Sequence, residues 1–250
     1  MHTTTASLAV LADIHGNAFA LEAVLADARA RGLTRFVNLG DTFYGPLDPV
    51  GTWRILRELD IPTVLGNQDR LLLEGGPQWE KMPAYKAAVD ALGSEGMVWL
   101  RSLPASCRVD GDVLLCHGTP DNDSAYLLED VSSGRPAMRD CRDIERDLLQ
   151  TAEGCSLVLA GHSHYPGVAQ CGEIMVVNPG SVGLPAYDDD SPPHVMASGS
   201  PHARYAALTR SGGTWEAEFV SVEYDWEAAS RMAADNGRDD WAEWLTSGMA

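Results

Sequence analysis

Basic charge is what this 250-residue chain has least of: 18 Lys and Arg stand against 36 Asp and Glu, a formal net charge of −18. Long-range repulsion of that kind opposes polyanions such as DNA or RNA unless a local basic patch overrides it, and the sequence holds no such patch. Much of the excess acid lies in Asp188–Asp190 and between Glu216 and Glu243, which reads as a solvated acidic face. Long apolar runs are missing as well. The first, Leu8–Ala12, is too short to cross a bilayer and lacks the basic flank of a signal peptide, so a cytoplasmic protein with no membrane partner is expected. Cysteine is sparse. Cys107, Cys116, Cys141, Cys155 and Cys171 are odd in number and show no CxxC or other ligand spacing, which predicts reduced, mostly buried thiols. Cys116 precedes His117 in an extended run and therefore points to the opposite face, which argues against it as nucleophile or ligand. No repeat of solenoid period occurs, and the one biased stretch, 188–201, is expected as a mobile part of a long loop spanning 184–203.

What the chain does contain is a series of short apolar runs that each end in metal-binding residue types. VLADIHGN (Val10–Asn17) carries Asp13 and His15 in the turn between a strand, Leu8–Ala12, and a helix, Ala18–Arg31. LGDTF ends a second run with Asp41, and VLGNQD a third with Asn67 and Asp69. LLCHGT and LAGHSH then supply His117, and His162 with His164. Open α/β sheets bind ligands at such strand ends. Oxygen and imidazole donors without a thiolate suit Mn, Fe, Co, Ni or Zn better than Ca or a structural zinc.

At 250 residues and 45% apolar content, one domain spanning 1–250 is expected. Strand Phe36–Leu39, a helix from about Val50 to Leu59 and strand Thr63–Leu65 complete a βαβαβ half. Residues 78–100, with Trp79, Tyr85, Met97 and Trp99, read as a helical insertion placed to cover the site. Asp110-Gly111 marks a hairpin between Ser106–Val109 and Val113–Cys116. Residues Thr119–Gly134 read as irregular, and Arg139–Thr151 as a helix. From Ser156 onward, strands Leu157–Ala160, Val168–Gln170, Ile174–Val177, Tyr205–Thr209 and Trp215–Val220 are expected to form a second sheet. Two helices, Trp226–Asp235 and Asp239–Leu245, occupy the C-terminal region 225–247.

In this order the blocks DIHGN, GDTFYGP, GNQD, HGTP and GHSH resemble the calcineurin-like metallophosphoesterases, from Leu8 to about Gly183, and look closest to their small bacterial and archaeal phosphodiesterase-like branch. The resemblance implies an α/β fold, a four-layer α/β/β/α sandwich of two stacked mixed sheets flanked by helices. It implies two divalent transition metal ions, Mn, Fe, Co, Ni or Zn in preference to Mg. Asp13, His15, Asp41 and His164 would hold one, and Asp41, Asn67, His117 and His162 the other, with Asp41 shared. A hydroxide between the ions would hydrolyse a small phosphorylated substrate, a phosphodiester or nucleotide. The other enzyme reading is a phosphomonoesterase or protein phosphatase; outside enzymes, it is a catalytically weak metal-dependent binding or sensor protein.

The chain departs from the resembling family at Gln68, where many relatives carry a histidine that protonates the leaving oxygen. A glutamine donates a hydrogen bond but delivers no proton, which favours diesters and nucleotides over esters with poor leaving groups. Asp69 is expected to position Asn67; Gly118, Asn178, Arg70 and Asn67 itself are the expected substrate contacts. His194 and His202 read as exposed loop histidines in preference to substitute acids. Trp241 and Trp244, three apart on a helix, suit docking on the body or on a second subunit of a homo-oligomer.

Overall fold

The computed structural model describes residues 6–250. Alternation along the first strand sets the layers. β1 (Ala6–Leu11) turns Leu8 and Val10 to one face and Ala9 and Leu11 to the other, and all four are buried, so both faces must be covered. On the Ala9 and Leu11 side lies α1 (Ala18–Ala30), which buries Leu21, Val24 and Leu25 and is capped by Asn17, whose Oδ1 accepts from the Ala20 N–H at 3.1 Å. β2 (Phe36–Asn38), α2 (Pro49–Leu56), α3 (Asn67–Glu74) and the 20-residue α4 (Pro83–Ser102) follow. Next come the hairpin β3 (Ser106–Val109) and β4 (Val113–Cys116), the small ribbon β5 (Glu129–Asp130) and β6 (Ala137–Met138), and α5 (Cys141–Leu148). The remainder is β7 (Leu157–Leu159), β8 (Gly167–Cys171), β9 (Ile174–Asn178), β10 (Ala186–Asp190), β11 (Pro193–Ala197), β12 (Ala203–Ser211), β13 (Thr214–Val222), α6 (Trp226–Asp235) and α7 (Asp239–Ser247).

Two mixed sheets result, in the orders β13-β12-β1-β2 and β3-β4-β7-β9-β8. Their facing sides share one apolar cluster, with Leu8, Val10, Val37, Ala206 and Leu208 from the first and Val113, Leu115, Leu157 and Val177 from the second. A second cluster joins the outer face of the first sheet to α1, α2, α3 and α4, and a third joins Leu114, Val158 and Val176 of the second sheet to Ile144 and Leu148 of α5. The fold is therefore the expected α/β/β/α sandwich. Among the described residues no helix is long and apolar enough to cross a membrane.

Several expectations are corrected. β12 and β13 join the first sheet, β12 lying antiparallel beside β1, while the β3–β4 hairpin belongs to the second. Strand order along the chain does not determine sheet membership; β12 has Tyr205 and Ala207 on one face and Ala206 and Leu208 on the other, all buried, which suits an interior position. Thr63–Leu65 reduces to one parallel bridge, Asn38 with Thr63, because the chain turns at Gly66 into α3, a helix the sequence reading missed. The helical insertion begins at Pro83 and packs on α2 and α3, with Trp99 against Phe43 and Trp53; it is a core element, and only Met82 before it reaches the candidate site. The irregular stretch after Thr119 contains β5. The expected mobile loop is the β10–β11 hairpin followed by a turn that Arg204 ties down, donating to Ser200 Oγ at 2.7 Å and to the His202 carbonyl at 2.8 Å. Cys141 and Cys171 form a disulfide between the start of α5 and the end of β8, which the linear separation of 30 residues did not suggest; Cys107, Cys116 and Cys155 are free.

A strap formed by residues 181–183 fastens the first ligand-bearing turn. Val182 N–H donates to the Ala12 carbonyl at 3.0 Å, and Gly183 N–H and Ser181 Oγ–H to that of Asp13 at 2.9 and 2.8 Å. A Cβ on Gly183 would overlap the Ile14 carbonyl oxygen, which is backbone and has no room to yield. Gly183→Ala is therefore expected to cost about 3 kcal/mol in urea unfolding, whereas Gly167→Ala, whose Cβ meets Leu128 Cδ1 and Met138 Cε at 3.6 Å, ordinary contact distance, stays within about 0.5 kcal/mol of wild type. Equal losses would remove the strap from this account.

Candidate metal centre

Five turns at one edge of the sandwich converge. Asp13 and His15 leave β1, Asp41 follows β2, Asn67 opens α3, His117 follows β4, and His162 and His164 follow β7. Donor atoms of Asp13, His15 and His164 lie within 4.8 Å of one another, and so do those of Asp41, His117 and His162. The backbone is unusual here. Asp13, His15, Asp41, His162 and His164 all have φ between +51° and +68°, and outside glycine only Asp60 and Asp110 share that region among the described residues. Each such residue costs about 1–2 kcal/mol and persists where neighbours over-determine it. The turns supply that constraint by bonding to one another: Asp13 N–H to the Gly40 carbonyl at 3.0 Å, His15 N–H to that of Asp41 at 2.9 Å, and Gly161 N–H to that of His117 at 2.6 Å.

Three imidazoles are oriented through Nδ1, which donates to the Tyr44 carbonyl from His15 (3.0 Å), to that of Leu39 from His117 (2.7 Å) and to that of Leu184 from His164 (2.9 Å). Their Nε2 atoms are thereby aimed inward, the arrangement typical of metal-ligating histidine. His15 Nε2 faces His164 Nε2 at 3.0 Å, and Asp13 Oδ1 close by is buried with no hydrogen-bond partner. Two facing lone pairs beside an orphaned carboxylate oxygen need a cation. Asp41 belongs to the second trio, its Oδ2 3.4 Å from His117 Nε2 and its Oδ1 receiving the Gln68 N–H at 2.8 Å from the start of α3. Only glycine at 66 allows that approach, since a Cβ there would strike the Asp41 backbone. Asn67 Oδ1 lies 3.0 Å from His117 Nε2.

The electrostatics follow from crowding. Burial opposes ionisation of Asp41, but His117, His15 and His162 around it hold it well below the ordinary carboxylate range. Burial likewise works against charge on His117, yet Asp41 outweighs it and lifts the imidazole to about 10. His15 and His162 are both lowered to about 4, by burial and then by the adjacent His164 and His117. Asp69 is fully buried and accepts from Thr42 N–H at 3.0 Å and Gly66 N–H at 3.2 Å; burial and then Asp41 raise it to about 7. It holds the Asp41 and Asn67 turns together.

Above the trios opens a cleft of about 360 Å³, floored by Asp41, Asn67, Gln68, His162 and His164. The other expected contacts lie elsewhere. Arg70 is outside the cleft lining, its guanidinium paired with Asp123 at 2.7 Å and Glu74 at 3.1 Å. Gly118 packs under the Asn122 and Ala125 carbonyls, and Asn178 donates to the Gly161 carbonyl at 2.7 Å and Ser163 Oγ at 2.9 Å, bracing the GHSH turn. Trp241 and Trp244 dock on the body, and they also line the cleft, Trp241 edge-on to His15 at 5.7 Å. His194, expected as exposed, is buried against Tyr126; His202 lies beside Trp226, the ring planes tilted by 51°. Tyr126 and Tyr187, cleft residues that the sequence reading missed, carried no periodic or motif signal. Cys116 faces away from the site, and burial pushes its thiol up to about 12.

A family model for the calcineurin-like phosphoesterase superfamily domain matches residues 7–198. The chain belongs to that superfamily. An uncharacterized protein of Methanocaldococcus jannaschii is 26% identical over 259 residues, covering 94% of each chain. A metallophosphoesterase from Sphaerobacter thermophilus superposes with a TM-score of 0.74 at 24% identity over 97% of this chain and 100% of its own. A hypothetical protein from Pyrococcus horikoshii gives 0.76 at 21% identity over 97% and 98%. These two structures share the fold.

One buried acid in this calcineurin-like phosphoesterase stands apart from the trios. Glu129 of β5 has both carboxylate oxygens buried without a partner; the Ser163 hydroxyl beside it does not complete a hydrogen bond. Burial raises it from 4.5 to about 8. Below pH 4.5 the group is neutral folded or unfolded; as pH rises toward 8 only the unfolded chain ionises, so stability is lost across that window. Urea unfolding of the wild type is expected to weaken by on the order of 3–5 kcal/mol between pH 4.5 and 8 relative to Glu129→Gln. Parallel pH profiles for the two proteins would count against this reading.

Proposed function

We propose that this protein is a dinuclear metal-dependent phosphodiesterase for small, singly charged diesters. The observation that carries the proposal is the cleft over both trios, which is walled by aromatic side chains and carries no free cation. Arg238 is the one Lys or Arg among its described lining residues, and Asp240 pairs with it at 2.6 Å while Asp188 and Asp189 stand exposed at the rim. A monoester dianion or a polyphosphate brings surplus charge toward those carboxylates, whereas a diester brings one charge that the metals neutralise. Tyr126, Tyr187, Trp241 and Trp244 offer apolar faces to the two organic groups of such a diester.

Asp13, His15, Asp41 and His164 would hold one ion, and Asp41, Asn67, His117 and His162 the other. The bare Nε2 pair and the orphaned Asp13 Oδ1 support the first position, and imidazole content favours Mn, Fe, Co, Ni or Zn over Mg. Bound there, the ions would supply activation of water as nucleophile and neutralise charge growing on the phosphoryl oxygens. Asp41 supplies the negative charge that two neighbouring cations require. Asn67, its Oδ1 turned to His117, has its amide hydrogens left to orient a phosphoryl oxygen. Gln68 lines the cleft as a neutral amide, so the leaving oxygen departs without a proton from this position.

Metal-free protein reloaded with each of these ions is expected to hydrolyse bis(p-nitrophenyl) phosphate at least about 10-fold better in kcat/KM than p-nitrophenyl phosphate, and Asp41→Asn to lose about 10³-fold with both ions. Replacing Asp188 and Asp189 together by Asn should narrow the diester preference by about 3-fold at low salt and less at high salt. A monoester preference in the wild type, or an Asp41→Asn protein that keeps two ions and normal turnover, would overturn the proposal. Gln68→His should gain most on esters of alcohols with high pKa; equal leaving-group slopes for the two proteins would show that residue 68 does not limit departure.

A further inference from the structure

His162 differs from the other three imidazoles of the centre. Among the described residues its ring makes no hydrogen bond, and of the six residues in the two trios it alone is not fully buried. A ligand ring without an anchor loses rotational freedom on coordination, a cost its three neighbours have already met through Nδ1. Something else must hold it.

That hold comes from the 119–134 segment and the β10–β11 hairpin. The Tyr126 ring stacks on the His162 ring with centroids 4.8 Å apart and planes 25° apart, and the Tyr187 hydroxyl lies 3.2 Å from the His162 carbonyl oxygen. The two phenol oxygens are 2.8 Å apart, and Tyr126 Oη is 2.8 Å from His194 Nε2. His194 Nδ1 lies 2.6 Å from the Pro192 carbonyl, which can only accept, so Nδ1 carries a hydrogen and Nε2 receives the Tyr126 hydroxyl. His194 is 5% exposed and sits across the ladder from Asp189. Tyr126 has given its one hydrogen to His194, so Tyr187 donates to Tyr126 Oη, and the histidine pins the first phenol and through it the second.

We infer that His194 is a positioning residue: it fixes Tyr126 and Tyr187, the two tyrosines clamp His162, and the clamp sets how tightly the Asp41–Asn67–His117–His162 position holds its ion. The inference rests on the metal reading proposed above. Tyr187 also meets the His164 ring edge-on at 4.7 Å, but His164 keeps its own Nδ1 anchor at Leu184, so the other position is buffered against loss of the clamp.

The test is calorimetric titration of metal-free full-length protein with Mn²⁺, with electron paramagnetic resonance of the loaded forms to read the spin-coupled ion pair. Wild type should take up two ions. His194→Ala and Tyr126→Leu should weaken one site by about 10–100-fold, leave the other within about 3-fold and abolish the coupled signal. His194→Gln, whose amide oxygen can accept the Tyr126 hydroxyl, should restore most of the affinity. Tyr187→Phe deletes only the hydroxyl, so it reads the clamp even where His194→Ala fails to fold, and should weaken the same site in the same direction. Equal weakening of both sites, unchanged affinities, or failure of His194→Gln to rescue a folded protein would overturn the inference. A wild type that binds no pair of ions overturns it together with the metal reading. A one-site loss in a protein that cleaves no diester leaves the clamp standing and removes only the proposed substrate.

Discussion

Crowding of like groups around Asp41 is the constraint on which the rest of this structure depends. Two carboxylates and four imidazoles converge in a site almost closed to water, with Nε2 lone pairs facing each other and one carboxylate oxygen left without a partner. Protons satisfy these groups poorly: one that suits the Asp41–His117 pair does nothing for Asp13 Oδ1, whose nearest imidazole nitrogen, His164 Nε2, is 3.5 Å away, and burial works against charge on His15 and His162. Such a centre is held by force from outside. Five left-handed donor residues, each adverse by itself, are the local sign of that force.

The outside force is the sandwich. A strand delivers its last residue to a defined height, and stacking two sheets puts the ends of β1, β2, β4 and β7 at one edge. The turns then lock each other, through Gly40 with Asp13 and Asp41 with His15 on one sheet, and His117 with Gly161 on the other. The cluster shared by the two sheets is apolar. The Asn178 brace at the end of β9 and the 181–183 strap just beyond it close the assembly over the Asp13 and GHSH turns. Stability of the core and geometry of the centre are in this sense one property: each trio draws on both sheets, so a shift of either sheet would pull both trios apart.

How much of this was legible in the sequence depended on whether the signal was local. Asp13, His15, Asp41, Asn67, His117, His162 and His164 could be read because each ends an apolar run, and strand-then-turn is a pattern of a few residues. The α6 bounds, Trp226–Asp235, were equally readable from the stop at Asn236-Gly237. Sheet membership was not, because β12 reaches β1 across almost the whole chain and only its burial on both faces hints at an interior place. Nor was the β10–β11 hairpin: its acidic and proline-containing composition resembles a loop, and the bonds from Tyr187 and His194 to Tyr126 that anchor it are non-local. The Cys141–Cys171 pairing was hidden for the same reason.

The division between legible and hidden residues has a physical meaning for this superfamily member. Groups that meet the phosphoryl centre must sit at strand ends, where backbone position is rigid to fractions of an ångström, so their sequence context is stereotyped. Groups that meet the rest of the substrate need only cover a surface. In the proposed reading that surface is the cleft wall of Tyr44, Tyr126, Tyr187, Trp241 and Trp244, drawn from separate loops, a hairpin and α7. Aromatic area can be supplied from many backbone positions, and nothing forces it into a motif. The two proposed roles nevertheless meet at Tyr126, which lies against His162 on one side and lines the cleft on the other, so in that reading a change in the wall would be transmitted to the candidate ligand set beneath it.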